Sequence, residues 1–156
     1  MNLVLRPMRN DEFDGYLEYF IPDYAAEISS NYGLSPKDAR VKALREVNED
    51  LTQGAETPDH DLLCITEGDE VIGYLWYKPN HATRSVFIYD FSILPPHQRQ
   101  GHATQALVIF EAMLAKNGFE QIKLRVAADN TSAQNLYLKD GFRATGINMI
   151  RHIGPV

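Results

Sequence analysis

Three successive runs of branched and aromatic residues in the middle of the chain constrain its fold most strongly. The runs are LLCITE (62–67), EVIGYLWY (70–77) and SVFIYDFSIL (85–94), and their composition is typical of β-strands. Gly68 and Asp69 form the tight turn that is expected between the first two runs. The pattern therefore predicts an antiparallel meander of three strands.

Before the meander, a short strand is predicted over residues 2–7 and is followed by a helical pattern. Apolar residues recur at helical spacing over residues 13–28. Because Pro22 falls inside this pattern and cannot donate a helical hydrogen bond, two short helical pieces are expected instead of one rod. Ser35 and Pro36 then mark the start of a further helix, as N-cap and first-turn residue.

After the meander, helices and strands alternate. The predicted elements are a helix from about 101 to 117, a strand at 121–127, a helix at 130–140 and a last strand region at 143–153. This order predicts a mixed sheet with helices on its faces. At 156 residues the chain suits one domain, which we expect to span residues 1–156.

Charge is distributed unevenly along the chain. Lys and Arg number 15 and Asp and Glu 21, and the net charge of −6 argues against binding that depends on nucleic-acid phosphates. Residues 1–70 hold 16 of the 21 acids and only 6 of the 15 bases. This part suits a cationic ligand, unless its acids simply form solvated helix faces.

The remaining compositional features favour an ordinary cytoplasmic protein. Cys64 is the only cysteine and lies in an apolar run, so we expect a buried strand residue with no disulfide. The N-terminal residues do not resemble a secretory signal, and no stretch of about 18 apolar residues occurs. Association with a membrane is therefore not expected.

The stretch ILPPHQRQGHATQAL (93–107) is the strongest candidate for a binding loop. Pro95 and Pro96 end the strand, because neither can donate to the sheet. The residues 98–103 then offer backbone N–H groups that the new helix cannot use, and these groups favour an anion such as phosphate. Small residues at Gly101 and Ala103 would let a pyrophosphate approach and keep the helix close to the strand. A plain capped helix start is the alternative.

Two motifs occur in this part of the chain. Residues 98–103 fit the pattern Gln/Arg-x-x-Gly-x-Gly/Ala, and residues 130–142 fit Asn-x-x-Ala-x-x-Leu-Tyr-x-x-x-Gly-Phe. In this order and context they resemble the GNAT superfamily of acetyl-CoA-dependent N-acetyltransferases. Arg99 and Gln100 stand where many members carry Gly and Lys, so cofactor affinity would depend more on backbone amides.

The resemblance implies an α/β (α+β) fold. Its central sheet would be mixed and mostly antiparallel, with six to seven strands, about four helices on its faces, and a splay between the fourth and fifth strands. The implied co-substrate is acetyl-CoA, with no metal, and a homodimer is compatible with the family. The implied cofactor contacts are Phe91 and Ile93 with the pantetheine arm, the loop residues Gln98, Arg99, Gln100, Gly101, His102 and Ala103 with the pyrophosphate, and Asn130 and Ala133 of the second motif.

The resemblance also assigns Tyr137 as the general acid beside the leaving thiol. A phenol with a reference pKa of about 10 holds its proton at neutral pH. Tyr137 packed between helix and sheet, and Asn130 acting only as a helix N-cap, are the structural alternatives.

Asp90 is the candidate general base, because it is the only acid of its strand and lies among aromatic residues. Strand alternation predicts that Asp90 faces the same side as Ile88 and Ser92, with Tyr89, Phe91 and Ile93 on the other. A structural pairing, with Arg84 or with a backbone amide, is the alternative. Many members of the family have no unique base.

The acceptor is expected near the first helices, where the chain is acidic and aromatic. Asp23, Tyr24 and Glu27 would attract an amine by charge and cation–π contact, whereas Trp76 would either close the pocket or fill the core. The resulting hypothesis is an N-acetyltransferase for a primary amine of a small molecule or peptide, acting by direct attack in a ternary complex. The alternative is a non-catalytic acyl-CoA-binding sensor or interaction domain.

Overall fold

Five strands form one sheet in chain order in the computed structural model, which describes residues 2–154. The strands are β1 (Leu3–Pro7), β2 (Asp61–Glu67), β3 (Glu70–Asn80), β4 (Ser85–Ile93) and β5 (Gln121–Leu124). The pairs β1–β2, β2–β3 and β3–β4 are antiparallel, and the pair β4–β5 is parallel. The predicted meander is confirmed.

Four α-helices lie along the chain together with the strands. They are α1 (Phe13–Tyr32), α2 (Pro36–Asp50), α3 (His102–Lys116) and α4 (Thr131–Lys139). Helices α1 and α2 share one core cluster with Leu62, Cys64 and Trp76, whereas α3 packs with Val86 and Ile88 on the opposite face of the sheet. Among residues 2–154, no helix combines the length and apolar character that a membrane span requires.

The expected count of six to seven strands is not confirmed, since the described residues 2–154 form five. The difference lies in residues 143–153, which were predicted as a strand and are not part of the sheet. This segment leaves the neighbourhood of β5 and reaches the end of α1, where a Cβ added at Gly33 would lie 3.3 Å from His152 Nε2. Alternating apolar residues satisfy the pattern of a strand, but a strand also requires a hydrogen-bonding neighbour.

The predicted break of the first helix at Pro22 is also wrong. Helix α1 runs for 20 residues with Pro22 inside it. Its buried face includes Tyr16, Phe20 and Ile28, which come from both sides of the proline. Burial of about 1.5–3 kcal/mol per large apolar side chain outweighs the loss of one helical hydrogen bond.

Pro22 is exposed, so its replacement by Ala removes no core packing. We expect Pro22→Ala to raise the free energy of unfolding by about 1–3 kcal/mol, because the helical hydrogen bond is restored and the ring clash is removed. Urea titration with an unchanged m-value measures this gain. Gly15→Ala, at another exposed position of α1, is the comparison and should gain no more than about 1 kcal/mol. Equal gains in the free energy of unfolding for Pro22→Ala and Gly15→Ala would contradict a specific cost of Pro22 within α1.

A β-bulge in β4 changes which side chains share a face of the sheet. Trp76 pairs with Asp90 and Tyr77 with Ile88, so Tyr89 is the extra residue. Strand alternation is interrupted there, as it is at bulges generally. The predicted grouping of Asp90 with Ile88 is therefore wrong.

The bulge places Asp90 on the α1 face of the sheet together with Tyr89. Asp90 accepts a hydrogen bond from Tyr16 of α1, and Tyr89 stacks on Trp76 with ring centroids 4.8 Å apart. Ile88 and Phe91 pack instead with the cluster that contains Phe110 of α3. The bulge thus turns an acid towards the side of the sheet where the acceptor is expected.

Strands β4 and β5 separate part of the way along β4. Their pairing extends only from Ser85 with Gln121 to Ile88 with Leu124, whereas β4 continues to Ile93. Beyond Ile88, the backbone of β4 on this side has no strand partner within residues 2–154. The predicted splay is therefore present, and it opens towards the loop that follows β4.

Candidate active site

The loop between β4 and α3 presents a row of unused backbone N–H groups. A short 3-10 turn covers Pro95–His97, and the first helical hydrogen bond runs from the Gln105 N–H to the Gly101 carbonyl over 3.1 Å. In the described part of the chain, the six amides of residues 99–104 have no hydrogen-bond acceptor. Six adjacent donors at a helix N-terminus suit an anion with several oxygens.

The backbone of this loop is held in an unusual conformation. Arg99 has φ 62° and Gly101 has φ 81°, and left-handed residues among right-handed or extended ones turn successive amides towards one point. A Cβ at Gly101 would meet no protein atom within 4 Å. Packing against the strand therefore does not require glycine here, but the positive φ and the open space above the amides favour it.

Side chains of the loop anchor its backbone. Gln98 Nε2 donates to the Ile93 carbonyl over 2.8 Å, and Gln100 Nε2 donates to the Pro96 carbonyl over 3.3 Å. His102 is buried, with Nδ1 3.0 Å from the His97 carbonyl and Nε2 3.4 Å from Glu67. These side chains therefore hold the backbone of the loop in place. The groups that stay available to a ligand are the backbone amides of residues 99–104.

Asp90 lies in a pocket of the α1 face, where its carboxylate meets a tyrosine instead of a base. The Tyr16 hydroxyl donates to Asp90 Oδ2 over 2.8 Å, and Ser92 Oγ lies 3.5 Å from the same oxygen. The alternative partner Arg84 pairs with Glu120 instead, at 3.1 Å. Burial raises the pKa of Asp90 to about 7, against the lowering effect of the Tyr16 hydrogen bond.

Tyr137 lies on α4, half-buried, and its ring contacts Phe142 edge-on at 5.3 Å between centroids. Burial, followed by the negative charge of Asp90, raises the pKa of Tyr137 to about 12. The phenol is therefore protonated at neutral pH. Because the Asp90 charge is one cause of this shift, the negative charge of Asp90 disfavours ionisation of Tyr137.

A cavity of about 190 Å³ opens beside Asp90. Its lining combines acids and aromatic rings with one base: Phe20, Asp23, Tyr24, Glu27, Phe87, Ile88, Tyr89, Asp90 and Arg125. Arg125 lies 3.2 Å from Glu27, and the Tyr24 hydroxyl donates to Glu46. The three candidates of α1 thus line the same cavity as Asp90, in surroundings suited to a cation.

Trp76 lies in the core and does not line this cavity. It is 2% exposed, and its Nε1 donates to His60 Nδ1 over 3.0 Å. Its ring packs against Phe20 and Tyr89, which do line the cavity. Of the two roles considered for Trp76, the structure favours core filling, with an indirect effect on the cavity.

Several cavity residues were not singled out from the sequence, namely Phe20, Phe87, Ile88, Tyr89 and Arg125. Phe20 was assigned only to a helical apolar face. The bulge that brings Tyr89 and Asp90 to one face leaves no local signal in the sequence. Arg125 comes from beyond the end of β5, and only the tertiary fold brings it to Glu27.

The second motif forms the start of α4. The Asn130 side chain accepts a hydrogen bond from the Ala133 N–H over 3.1 Å, so Asn130 is the N-cap of this helix. The Ala133 amide is used by the cap. A contact of Asn130 with a cofactor stays a prediction beside this structural role.

Cys64 is buried in β2, as predicted, and the pKa of its thiol is raised by burial to about 11. A thiol that stays protonated at neutral pH is a poor nucleophile.

A splayed sheet with a loop of free amides at its mouth and an acidic cavity on one face is an arrangement suited to a transferase that takes a phosphate-bearing donor and a second substrate. The sequence model described as Acetyltransferase (GNAT) family matches residues 12–142. The chain therefore belongs to this family of acyltransferases, as the two motifs predicted.

Individual relatives cover almost the whole chain. The uncharacterized N-acetyltransferase YycN of Bacillus subtilis is 34% identical over 157 residues, covering 98% of this chain and all of YycN. Its crystal structure matches with a TM-score of 0.92 over 99% of this chain and all of that chain. The uncharacterized N-acetyltransferase YdgE of the same organism is 26% identical over 98% of this chain and 99% of YdgE.

A more distant solved structure supports the fold. The PaiA N-acetyltransferase of Thermoplasma acidophilum, solved in complex with coenzyme A, has a TM-score of 0.72 at 15% identity, covering 95% of this chain and 94% of that chain.

Proposed function

We propose that this protein transfers the acetyl group of acetyl-CoA to a primary amine of a small molecule or peptide that carries positive charge near the reacting nitrogen. The observation that carries this proposal is the position of Asp90, which Tyr16 holds beside an acidic cavity on the α1 face. Burial raises the pKa of Asp90 to about 7 and that of Tyr137 to about 12. Acyl transfer from a thioester to an amine needs a group that removes a proton and a group that supplies one.

The amides of residues 99–104 would hold the pyrophosphate of acetyl-CoA. Their six free donors and the positive end of α3 would stabilise the phosphate charges. The unpaired edge of β4 between Tyr89 and Ile93 would pair with the pantetheine arm. Gln98 already occupies the Ile93 carbonyl from one direction, which leaves the second lone pair for the arm.

Gly101→Ala tests this loop. We expect KM for acetyl-CoA to rise about tenfold, which corresponds to about 1.4 kcal/mol, because the added methyl group enters the open space above the amides. The change in kcat should be smaller. Steady-state kinetics with varied acetyl-CoA measure the effect.

Gly118→Ala is the matched control for this experiment. Gly118 has φ 86°, and a Cβ there would also meet nothing within 4 Å, but it lies after α3 and away from the loop. Both substitutions should therefore lower the free energy of unfolding by about 1 kcal/mol through backbone strain. Gly118→Ala should leave KM for acetyl-CoA unchanged. An equal change in KM for both variants would refute the assignment of the loop.

The proton transfers follow from the two environments. Asp90 takes a proton from the attacking nitrogen as the new N–C bond forms, and the C–S bond breaks as Tyr137 protonates the leaving sulfur. A donor with a pKa of about 12 is a weak acid. Since neutralisation of Asp90 removes a charge that raises this pKa, proton uptake by Asp90 makes Tyr137 a better acid at the step that needs it. Exchange with solvent restores both groups.

The acceptor is proposed from the charge of the cavity. Asp23 and Glu27 line the same cavity as Asp90, and Phe87 and Tyr89 supply aromatic faces. Because Glu27 already pairs with Arg125, Asp23 is the acid most available to a second positive charge. We therefore expect diamines, polyamines, amino sugars or basic N-terminal peptides as acceptors, in preference to acidic amino acids.

An acceptor screen tests the proposal. Thiol release from acetyl-CoA is measured with these amines, and Asp23→Asn is expected to raise KM for the preferred acceptor about tenfold. Glu18→Gln, which removes an exposed acid of α1 outside the cavity, is the control with no expected change. Preference for acidic acceptors would refute the charge argument. Tight acetyl-CoA binding without turnover of any amine would favour a non-catalytic acyl-CoA-binding domain.

A further inference from the structure

His60 lies just before β2, and its ring contacts Trp76 of β3. The Trp76 Nε1–H donates to His60 Nδ1 over 3.0 Å, and the two ring centroids are 5.9 Å apart. An indole N–H can only donate, so Nδ1 must accept without a proton, and Nε2 carries the proton of the neutral imidazole. The hydrogen bond therefore requires His60 to be neutral.

These two rings adjoin the bulge of β4. Tyr89, the extra residue of the bulge, stacks on Trp76 with 16° between the ring planes, and its centroid lies 5.6 Å from that of His60. The backbone of Trp76 pairs with Asp90, the residue that the bulge turns towards Tyr16. His60, Trp76 and Tyr89, here called the bulge cluster, thus pack beside the backbone that orients Asp90.

Trp76 is the central member of the bulge cluster and depends on His60. It is 2% exposed, and within residues 2–154 its Nε1–H has no acceptor other than His60 Nδ1. A buried donor that loses its acceptor costs about 1–3 kcal/mol. The Trp76 ring also packs edge-on against Phe20 of α1, so a displaced indole would disturb both Phe20 and Tyr89, which line the cavity. The state of His60 therefore acts on the cavity through Trp76.

We propose that His60 is a positioning residue: through the bulge cluster, its neutral ring holds Asp90 in the orientation that faces the acceptor. Protonation turns Nδ1 into a donor that faces the Trp76 N–H, so the hydrogen bond is lost and the bulge is released. His60 does not itself line the cavity. The inference rests on the proposed function, because the orientation of Asp90 matters to the reaction only if an amine is acetylated at this site.

The surroundings of His60 favour a neutral ring at neutral pH. Burial is the largest effect and lowers the pKa of His60, and the charge of Lys78 on β3 acts in the same direction. The acids that oppose this shift are Asp50 at the end of α2 and the chain neighbours Asp59 and Asp61. Because the ordinary pKa of histidine is about 6.5, the bulge cluster should be intact at neutral pH and loosen only below that value.

Tryptophan fluorescence tests the hydrogen bond without any acetyl transfer. Trp76 is the only tryptophan of the chain, so its emission reports on this contact alone. We expect the emission of the native protein to change as the pH falls below about 6.5, and this transition to be lost in His60→Asn. The asparagine amide oxygen lies close to the place of Nδ1 and can accept from the indole, but it does not titrate. The proposal is overturned if the native protein shows no transition or if His60→Asn keeps it.

Two variants are controls for this titration. His81→Asn removes another histidine beside an aromatic ring, with Phe119 at 5.4 Å between centroids, and should keep the transition. Asp90→Asn removes the acid whose pKa is about 7 and should also keep it. Far-UV circular dichroism should stay constant over the same pH range, since only a local contact is lost. Loss of the transition in either control would assign it to a group other than His60 and so contradict the proposal.

Hydrogen exchange and kinetics at pH 8 test the effect on Asp90. His60→Leu leaves the Trp76 N–H without an acceptor, whereas His60→Asn keeps one. In His60→Leu we expect the amides of β4 to exchange about tenfold faster, with those of α3 unchanged. We also expect kcat to fall about tenfold while KM for acetyl-CoA stays the same. His60→Asn should be close to the native protein in both measurements, and equal losses in the two variants would argue against a role of the hydrogen bond.

The two measurements separate a failure of this inference from a failure of the proposed function. If exchange in β4 rises in His60→Leu but no amine is ever acetylated, His60 holds the bulge and the proposed function fails. If amines are acetylated and His60→Leu matches the native protein in exchange and kcat, the inference fails alone.

Discussion

Asp90→Asn is expected to lower kcat by about 10²- to 10⁴-fold at pH 8, because the variant has no carboxylate to accept the proton of the attacking amine. In the native protein, activity should fall as the pH is lowered through about 7, since the group with this raised pKa becomes protonated and can no longer act as a base. The variant should lack this acidic limb. A pH series of kcat measures both effects.

The variant Tyr16→Phe tests whether Asp90 acts as a base or only supports the packing. The Tyr16 hydroxyl stabilises the Asp90 carboxylate and so lowers its pKa. Removal of the hydroxyl should therefore raise the pKa of Asp90 further and move the acidic limb to higher pH. If Asp90 only supported the packing, the rate would fall without a shift of the profile, and the assignment as a base would be refuted.

The same carboxylate should reduce stability. Its pKa is about 7 in the folded protein, above the value of about 4 in an unfolded chain, so between these values the folded state binds the extra proton. The favourable contribution is complete below about pH 4 and is lost as the pH rises through about 7. Asp90→Asn should consequently be more stable than the native protein at pH 8, by about 1–4 kcal/mol, while being far less active.

Tyr137→Phe is expected to slow thiol release by about 10²-fold, because the leaving sulfur loses its proton donor. Acetyl-CoA binding, measured by calorimetry, should change little, since the ring and its contact with Phe142 remain. Tyr32→Phe, which alters an exposed phenol at the end of α1, is the control with an unchanged rate. An unchanged rate for Tyr137→Phe would remove Tyr137 from the mechanism.

The loop and the second motif were predictable because their signals are local. Prolines that end a strand, a glycine at a positive φ, and the N-caps Ser35 and Asn130 act through the backbone of a few neighbouring residues. The family followed from these motifs and is confirmed. Arg99, which stands where many members carry glycine, has a φ of 62°, in the left-handed region that favours glycine.

The errors came from interactions that a local pattern does not contain. Pro22 was expected to break α1, but apolar contacts on both sides of it hold the helix together. Residues 143–153 have the alternation of a strand, but within residues 2–154 they have no strand neighbour. The β4 bulge, which turns Asp90 to the α1 face, depends on how β3 and β4 pair over their whole length.

The sequence by itself thus determined the family and most of the helices and strands, because helix caps, turns and the loop after β4 depend on residues adjacent in the chain. Tertiary structure alone decided that Asp23, Glu27 and Arg125 share a cavity with Asp90 and that Tyr16 is the partner of this acid. The physical reason is distance along the chain. Burial and charge act between groups that meet only after folding, and these interactions set the pKa values on which the proposed chemistry depends.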